Sequence, residues 1–248
     1  AHARLMTESF FAADERIRGM LYLPWSDPDA CLEIVEEFGD RPGVAGFMIT
    51  SVRYEATASR PYMKVYRALD ERGATLGFHS AFDYYDRSTA MFNNFLSVHA
   101  IGFPYYNIVH STNLVMNGIP ERFPGIRFFF IEGGLSWVPF VMQRLDHEYM
   151  MRPSEAPFLE RLPSEYLRDF YFTTQPLEAT SVRELEHTIA LIGSTDRLVW
   201  ASDWPHWDWD PPARIWDLPF LDEGQRRDIL GRNALALLGL DAPPLPPP

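Results

Sequence analysis

The sequence predicts an α/β protein built on a parallel β-sheet that is curved into a barrel rather than left as an open sheet. Two observations predict this class. Six short runs carry apolar residues on consecutive positions, which is typical of strands covered on both faces. Segments with helical periodicity separate these runs, and a repeated strand–helix unit in a chain of 248 residues favours a (β/α) barrel.

The six predicted strands come at fairly regular intervals along the chain. They cover residues 17–24, 44–51, 74–80, 126–134, 169–175 and 197–206. A (β/α) barrel usually closes with eight strands. We therefore expect a single barrel domain over residues 1–248 that is incomplete at its N-terminus, with two strands preceding Ala1. The first residue is not Met, which favours this interpretation over an open sheet.

Three of the segments between strands are predicted as amphipathic helices. The segment 181–193 has the clearest boundaries, because Ser181 and Glu184 form a capping box and Gly193 is a stop signal. The other two helices are predicted over 26–39 and 134–149. In the first of them the apolar face is formed by Cys31, Ile34, Val35 and Phe38.

The remaining segments are harder to divide. Residues 88–118 have helical periodicity, but Gly102 and Pro104 predict a break between two helices. Residues 151–168 contain three prolines and are predicted as a long connection. The last helix is predicted from about residue 222 to residue 238.

Composition and charge exclude several classes of function. The net charge is −12 and no basic cluster occurs, so nucleic acid and membrane surfaces are poor partners. Cys31 is the only cysteine, which excludes an intramolecular disulfide. The sequence shows neither a signal peptide nor a membrane span, and we expect a cytoplasmic protein that binds a small molecule.

Polar residues end three of the predicted strands. His79, Glu132 and Asp203 stand at these positions, and His206 follows three residues after Asp203. Functional groups of barrels lie at the carboxyl ends of strands, and an imidazole and a carboxylate that converge there can bind a divalent metal. Each residue alone is more often a loop cap or a hydrogen-bonded core group.

Longer stretches of the chain resemble a known family. They are GFHS, FPGIRFFFIEGGLSWVPFVMQRLDHEY, YFTTQPLE, RLVWASDWPHWDWD and GRNALALLGL. Together they resemble the amidohydrolase-related family, which includes aminocarboxymuconate semialdehyde decarboxylase and related metal-dependent hydrolases. The resemblance covers nearly the whole chain, and ASDWPH and EGGLSWVPFVMQRLD are its most specific parts.

The resemblance implies a distorted (β/α)8 barrel of which strands 3 to 8 are visible. By position, His79 matches the metal ligand of strand 5, and Asp203 matches the strand 8 aspartate that binds the metal or moves a proton beside it. The family implies a divalent metal, zinc first with manganese or iron as alternatives, and a homo-oligomer. Two features depart from the family pattern: no strand 1 ligand pair is visible, and Glu132 stands where many members have histidine.

The second departure bears on the reaction. An ionised Glu132 would repel a substrate carboxylate unless the charge of a metal dominates, so the sequence favours a hydrolase over a decarboxylase. In that reading Asp203 deprotonates a metal-activated water, and Glu132 orients this water or accepts a second proton. Two alternatives stay open, a non-oxidative decarboxylase of an aromatic or unsaturated acid and a non-catalytic barrel subunit. Glu132 is nearly as well explained as a structural cap.

The predicted substrate is small and aromatic or cyclic, because many aromatic residues follow strand ends. Packing between barrel and loops is an equal explanation for these residues. His206 is predicted beside them as a binding residue, or else as a cap of its own loop, and Arg53 is predicted to hold an anionic group or to be solvated. The aromatic candidates are Phe82, Tyr84, Tyr85, Trp137, Trp204 and Trp207.

Overall fold

A computed structural model describes residues 1–50, 55–80 and 86–241 of the chain. Its centre is one six-stranded parallel sheet in which the strands are neighbours in chain order, β1 to β6. The predicted α/β class and parallel sheet are therefore confirmed. The strands are Gly19–Tyr22 (β1), Val44–Ile49 (β2), Thr75–Phe78 (β3), Arg127–Phe130 (β4), Tyr171–Thr173 (β5) and Leu198–Val199 (β6).

Both faces of the sheet are covered, which explains the consecutive apolar residues. Alternate side chains of a strand point to opposite faces. In β4, Phe128 and Phe130 belong to the large core cluster, whereas Phe129 packs in a smaller cluster with Tyr171 and Leu237. The helix that carries Leu237 therefore covers the second face of the sheet. The backbone carbonyl of Leu237 accepts hydrogen bonds from the side chains of Thr75 in β3 and Arg127 in β4.

The helices follow the strands in the alternating order that the sequence predicts. Their ends often carry the expected caps: Ser181 Oγ accepts a hydrogen bond from Glu184 N at 3.3 Å, and Gly193 ends the same helix with a φ of 98°. The α-helices are His2–Leu5, Phe11–Ala13, Pro28–Phe38, Met63–Glu71, Phe95–Met116, Ile119–Arg122, Trp137–Met151, Pro163–Asp169, Val182–Ile192, Ala213–Trp216, Glu223–Arg227 and Asn233–Leu238. Met6–Phe10 and Asp228–Arg232 are π-helical, and Arg60–Tyr62 and Pro153–Glu155 are 3₁₀ turns.

The predicted break at Gly102 and Pro104 is wrong. A single helix runs from Phe95 to Met116 with Pro104 inside it. Proline removes one backbone donor from a helix, but packing compensates for that loss here. The helix buries one face against the sheet, and Ser80 Oγ donates to the carbonyls of Gly102 and Phe103, each at 3.3 Å.

The predicted long connection over 151–168 is also wrong in part. Residues Pro163–Asp169 form a helix, with proline at its first position, where no backbone donor is needed. Glu165 Oε2 accepts a hydrogen bond from Leu162 N at 2.9 Å and closes the first turn. No helix of the described residues is both long enough and apolar enough to cross a membrane.

Because His110 is buried, we expect the free energy of unfolding to decrease in acid. Burial lowers the pKa of His110 to about 4, and its ring lies against Phe78 and Tyr106. In the unfolded chain His110 binds a proton near its ordinary pKa of 6.5, whereas the folded chain binds it only near pH 4. The free energy of unfolding is therefore unaffected by His110 above pH 6.5 and decreases as the pH falls toward 4. At pH 5 the loss amounts to about 2 kcal/mol of unfolding free energy.

Denaturant unfolding at pH 7 and pH 5 measures this loss. We expect His110→Phe, which keeps a ring in the stack but binds no proton, to lose about 2 kcal/mol less than the natural chain over the same interval. Equal losses in the two proteins would show that His110 does not titrate differently on unfolding.

Candidate metal and catalytic site

The ends of β3, β4 and β6 lead directly into the predicted functional residues. We call this edge of the sheet, marked by His79, Glu132 and Asp203, the mouth. The backbone N–H of His79 donates a hydrogen bond to the carbonyl of Ile49, so His79 lies beside the end of β2. Glu132 follows the end of β4 by two residues. His79 Nε2 and Glu132 Oε2 are 2.5 Å apart, and the Glu132 side chain is only 5% exposed. The first pair of predicted residues is therefore in direct contact.

The His79 ring is held from both sides. Its Nδ1 lies 2.6 Å from the backbone oxygen of Ser80, so Nδ1 is the donor nitrogen and Nε2 faces the Glu132 carboxylate. Burial lowers the pKa of His79, but the hydrogen bond and charge of Glu132, with smaller contributions from Ser80 and Asp203, outweigh burial. The net effect is a pKa above the ordinary value for histidine.

Asp203 and His206 form the second pair. His206 Nδ1 lies 2.8 Å from Asp203 Oδ2, and Gln175 Nε2 donates to the same oxygen at 3.2 Å. The hydrogen bond that His206 donates to Asp203 raises the pKa of His206, and the charge of Asp203 adds to this effect. The His206 side chain is 61% exposed, whereas that of Asp203 is 16% exposed. The pair thus connects a mostly buried carboxylate with solvent.

The backbone at the mouth is strained at two positions. Glu132 has a φ of 59° and Asp203 a φ of 55°, and they are the non-glycine residues with positive φ in the described part of the chain. This left-handed region is uncommon for residues with a side chain, and such residues cluster at functional sites. Both strained residues are ones that the strand-end argument selected.

Three side chains at the mouth fit a divalent metal. Glu132, Asp203 and His206 each offer one ligand atom, and these atoms lie within 4.8 Å of one another. Two carboxylate oxygens and one imidazole nitrogen are a donor set that suits manganese, iron or zinc. His79 directly contacts Glu132, one of these three residues, and its role as a metal ligand stays a prediction.

The predicted substrate-binding residues have different environments. Trp137 is buried, packs on Phe130 and Phe172, and donates its indole N–H to Gly134 O at 3.1 Å. Trp204 is 69% exposed and rests edge-on against Trp209. The other candidates, Arg53, Phe82, Tyr84 and Tyr85, lie outside the described residues.

A cavity of about 280 Å³ extends from Glu132 along the helix Phe95–Met116. Its lining includes two residues that the sequence argument did not select, His99 and Asp208, with His99 Nε2 3.8 Å from Asp208 Oδ2. The rings of Phe103 and Trp207 each lie 5.2 Å from the His99 ring. His99 lies in the helix Phe95–Met116 rather than at a strand end. Its place in the cavity lining could have been predicted only from the position of this helix beside the mouth.

Glu178 is a third residue that the sequence argument missed. Its side chain lines the same cavity, and its Oε2 accepts hydrogen bonds from Leu135 N at 3.2 Å and Ser136 N at 2.9 Å. These donors precede the helix Trp137–Met151, where an anion is favoured. The capping role that the sequence allowed for Glu132 is therefore performed by Glu178 at this helix.

Comparison with known proteins shows the family. A family model described as amidohydrolase matches residues 1–240. Gamma-resorcylate decarboxylase of Rhodococcus jostii (strain RHA1) is 23% identical over 251 residues, which cover 96% of this chain and 75% of that protein.

Solved structures show the fold. A 5-carboxyvanillate decarboxylase from Sphingomonas paucimobilis matches with a TM-score of 0.78 and 23% identity, over 96% of this chain and 71% of that one. A dihydroxybenzoic acid decarboxylase from Polaromonas sp. JS666, with bound manganese and the inhibitor 2-nitroresorcinol, matches with a TM-score of 0.72 and 20% identity, over 96% and 72%. The predicted barrel fold is confirmed, and the six parallel strands form a partial barrel. The chain belongs to the amidohydrolase family.

Proposed function

We propose that this chain is a metal-dependent decarboxylase of a small aromatic carboxylic acid. The observation that carries the proposal is the cluster of Glu132, Asp203 and His206 at the mouth, in a chain whose family includes decarboxylases of aromatic acids. The relatives favour this reading over the hydrolase that the sequence alone favoured.

Glu132, Asp203 and His206 would hold the metal, and His79 would hold Glu132 in place through its 2.5 Å contact. A divalent cation bound there would supply the positive charge that a substrate carboxylate needs beside two protein carboxylates. Manganese is supported by its presence in the Polaromonas decarboxylase, while zinc and iron share the same donor preferences.

The reaction requires a proton at one carbon atom. The bond between the ring and the carboxylate breaks, carbon dioxide leaves, and the electron pair stays on the ring carbon until a proton is added there. We assign proton delivery to Asp203 Oδ2, which Gln175 orients and His206 contacts at 2.8 Å. Because the His206 side chain beside it is mostly exposed, solvent reaches this pair and resupplies the proton.

Hydrolysis remains the second candidate on the same residues. In that case Asp203 would take a proton from an attacking water instead of giving one to carbon. A neutral substrate would not be repelled by the two carboxylates at the mouth. A non-catalytic subunit, the third reading, would bind no metal with these groups.

The experiment separates the three candidates by product. The purified chain is first analysed for metal content, then supplied with manganese or zinc and with carboxyl-¹³C hydroxybenzoates in deuterated water, and in parallel with small lactones and amides. We expect labelled carbon dioxide and one deuterium on the product ring. Lactone or amide hydrolysis without carbon dioxide would overturn the proposal in favour of the hydrolase. No reaction and no stoichiometric metal would support the non-catalytic subunit.

A further inference from the structure

The cavity beside the mouth has an unusual distribution of charge. It is lined by carboxylates at three places, Glu132, Glu178 and Asp208, and its described lining contains no lysine or arginine. The surroundings of the first two carboxylates offset their charge. Glu132 contacts His79 at 2.5 Å, and Glu178 accepts two backbone N–H groups.

Asp208 is different because its hydrogen-bonding capacity is hardly used. Its side chain is only 16% exposed, and its Oδ1 is buried without a hydrogen-bond partner among the described residues. Its Oδ2 is 3.8 Å from His99 Nε2, which is longer than a hydrogen bond. A largely buried carboxylate in this condition is costly, and a donor that a ligand brings to Oδ2 would relieve part of that cost.

The position of Asp208 defines which part of a ligand reaches it. The cavity is lined by Glu132 as well as by the pair His99 and Asp208, and the rings of Phe103 and Trp207 each lie 5.2 Å from the His99 ring. Aromatic walls suit a flat ring. An acid whose carboxylate lies at the mouth would therefore present another part of its ring to Asp208.

We propose that Asp208, with His99 beside it, is a specificity site that receives a hydrogen-bond-donating substituent of the substrate ring and rejects a second carboxylate. This inference rests on the proposed function, because it takes the acid group of the substrate to lie at the metal cluster. A hydroxyl or an aminomethyl group fits, since each donates a hydrogen to the carboxylate. A second carboxylate is repelled by the Asp208 charge, and the described lining holds no lysine or arginine that would offset this repulsion.

Equilibrium binding tests this assignment without requiring turnover. Isothermal titration of the manganese-loaded chain would compare the meta and para isomers of hydroxybenzoate, methoxybenzoate, aminomethylbenzoate and benzene dicarboxylate. For at least one isomer we expect the hydroxyl and aminomethyl compounds to bind at least about 10-fold more tightly than the methoxy compound, with the dicarboxylate weakest. Equal affinities, or tightest binding of the dicarboxylate, would overturn the assignment.

Asp208→Asn provides the second arm. The amide removes the charge and adds an N–H donor, so the preference for donors should shrink and the dicarboxylate should gain affinity relative to the natural chain. A merely structural role of Asp208 would weaken all ligands alike. Asp217→Asn, at an exposed position, is the matched control and should leave the ranking unchanged. A ranking as expected without carbon dioxide release would refute the proposed reaction but keep the specificity site.

Discussion

Asp203→Asn is expected to lower kcat of the decarboxylation by about 10²–10⁴-fold, the range expected when an acid–base group is lost. An amide cannot hold the proton that Asp203 Oδ2 would deliver to the ring carbon, and it is a weaker ligand than a carboxylate. Steady-state release of labelled carbon dioxide measures the change. With manganese at saturating concentration, the effect should fall on kcat, since the proton is delivered in the transition state rather than on binding.

The variant is informative because its fold should be retained. Asp203 has a φ of 55°, and asparagine is one of the few residues that adopt this conformation readily. Gln175 and His206 can still form hydrogen bonds to the amide oxygen. Asp217→Asn, on the surface, is the matched control and should keep full activity. Unchanged kcat in Asp203→Asn would remove Asp203 from the mechanism.

The fold was predictable from the sequence because its signals are local. Consecutive apolar residues such as Phe128, Phe129 and Phe130 indicate a strand that is covered on both faces, and the structure packs these three rings into two different clusters. Strand ends in a parallel sheet meet at one edge, so residues at equivalent positions were expected to converge. The contact between His79 and Glu132 is the result of this convergence.

Features that depend on tertiary packing were not predictable in the same way. Pro104 is a strong local signal for a helix break, but the helix Phe95–Met116 continues because it is packed against the sheet and Ser80. That continuity carries His99 to within 3.8 Å of Asp208, across more than a hundred positions in the sequence. Strand-end reasoning considers only residues that follow strands, so it could not select a helical histidine.

Glu132→Gln is expected to weaken manganese binding by at least about 10–100-fold and to lower kcat/KM, because a charged group of the metal cluster becomes neutral. The size and shape of the side chain are kept. Its neighbour His79 donates from Nδ1 to Ser80 O, so a neutral ring presents Nε2 as an acceptor for the new amide N–H. The free energy of unfolding without metal should therefore change by about 1 kcal/mol or less.

The comparison between metal affinity and stability decides what Glu132 does. A purely structural carboxylate would give the reverse pattern, with lower stability in the absence of metal and an unaltered dissociation constant for manganese. Titration of manganese by calorimetry and denaturant unfolding of the same samples measure both quantities. Glu186→Gln, on the exposed face of the helix Val182–Ile192, controls for the loss of one negative charge from the chain. Because Glu132 combines a positive φ with a side chain only 5% exposed, a functional role gives the strained backbone an explanation that a surface cap would not.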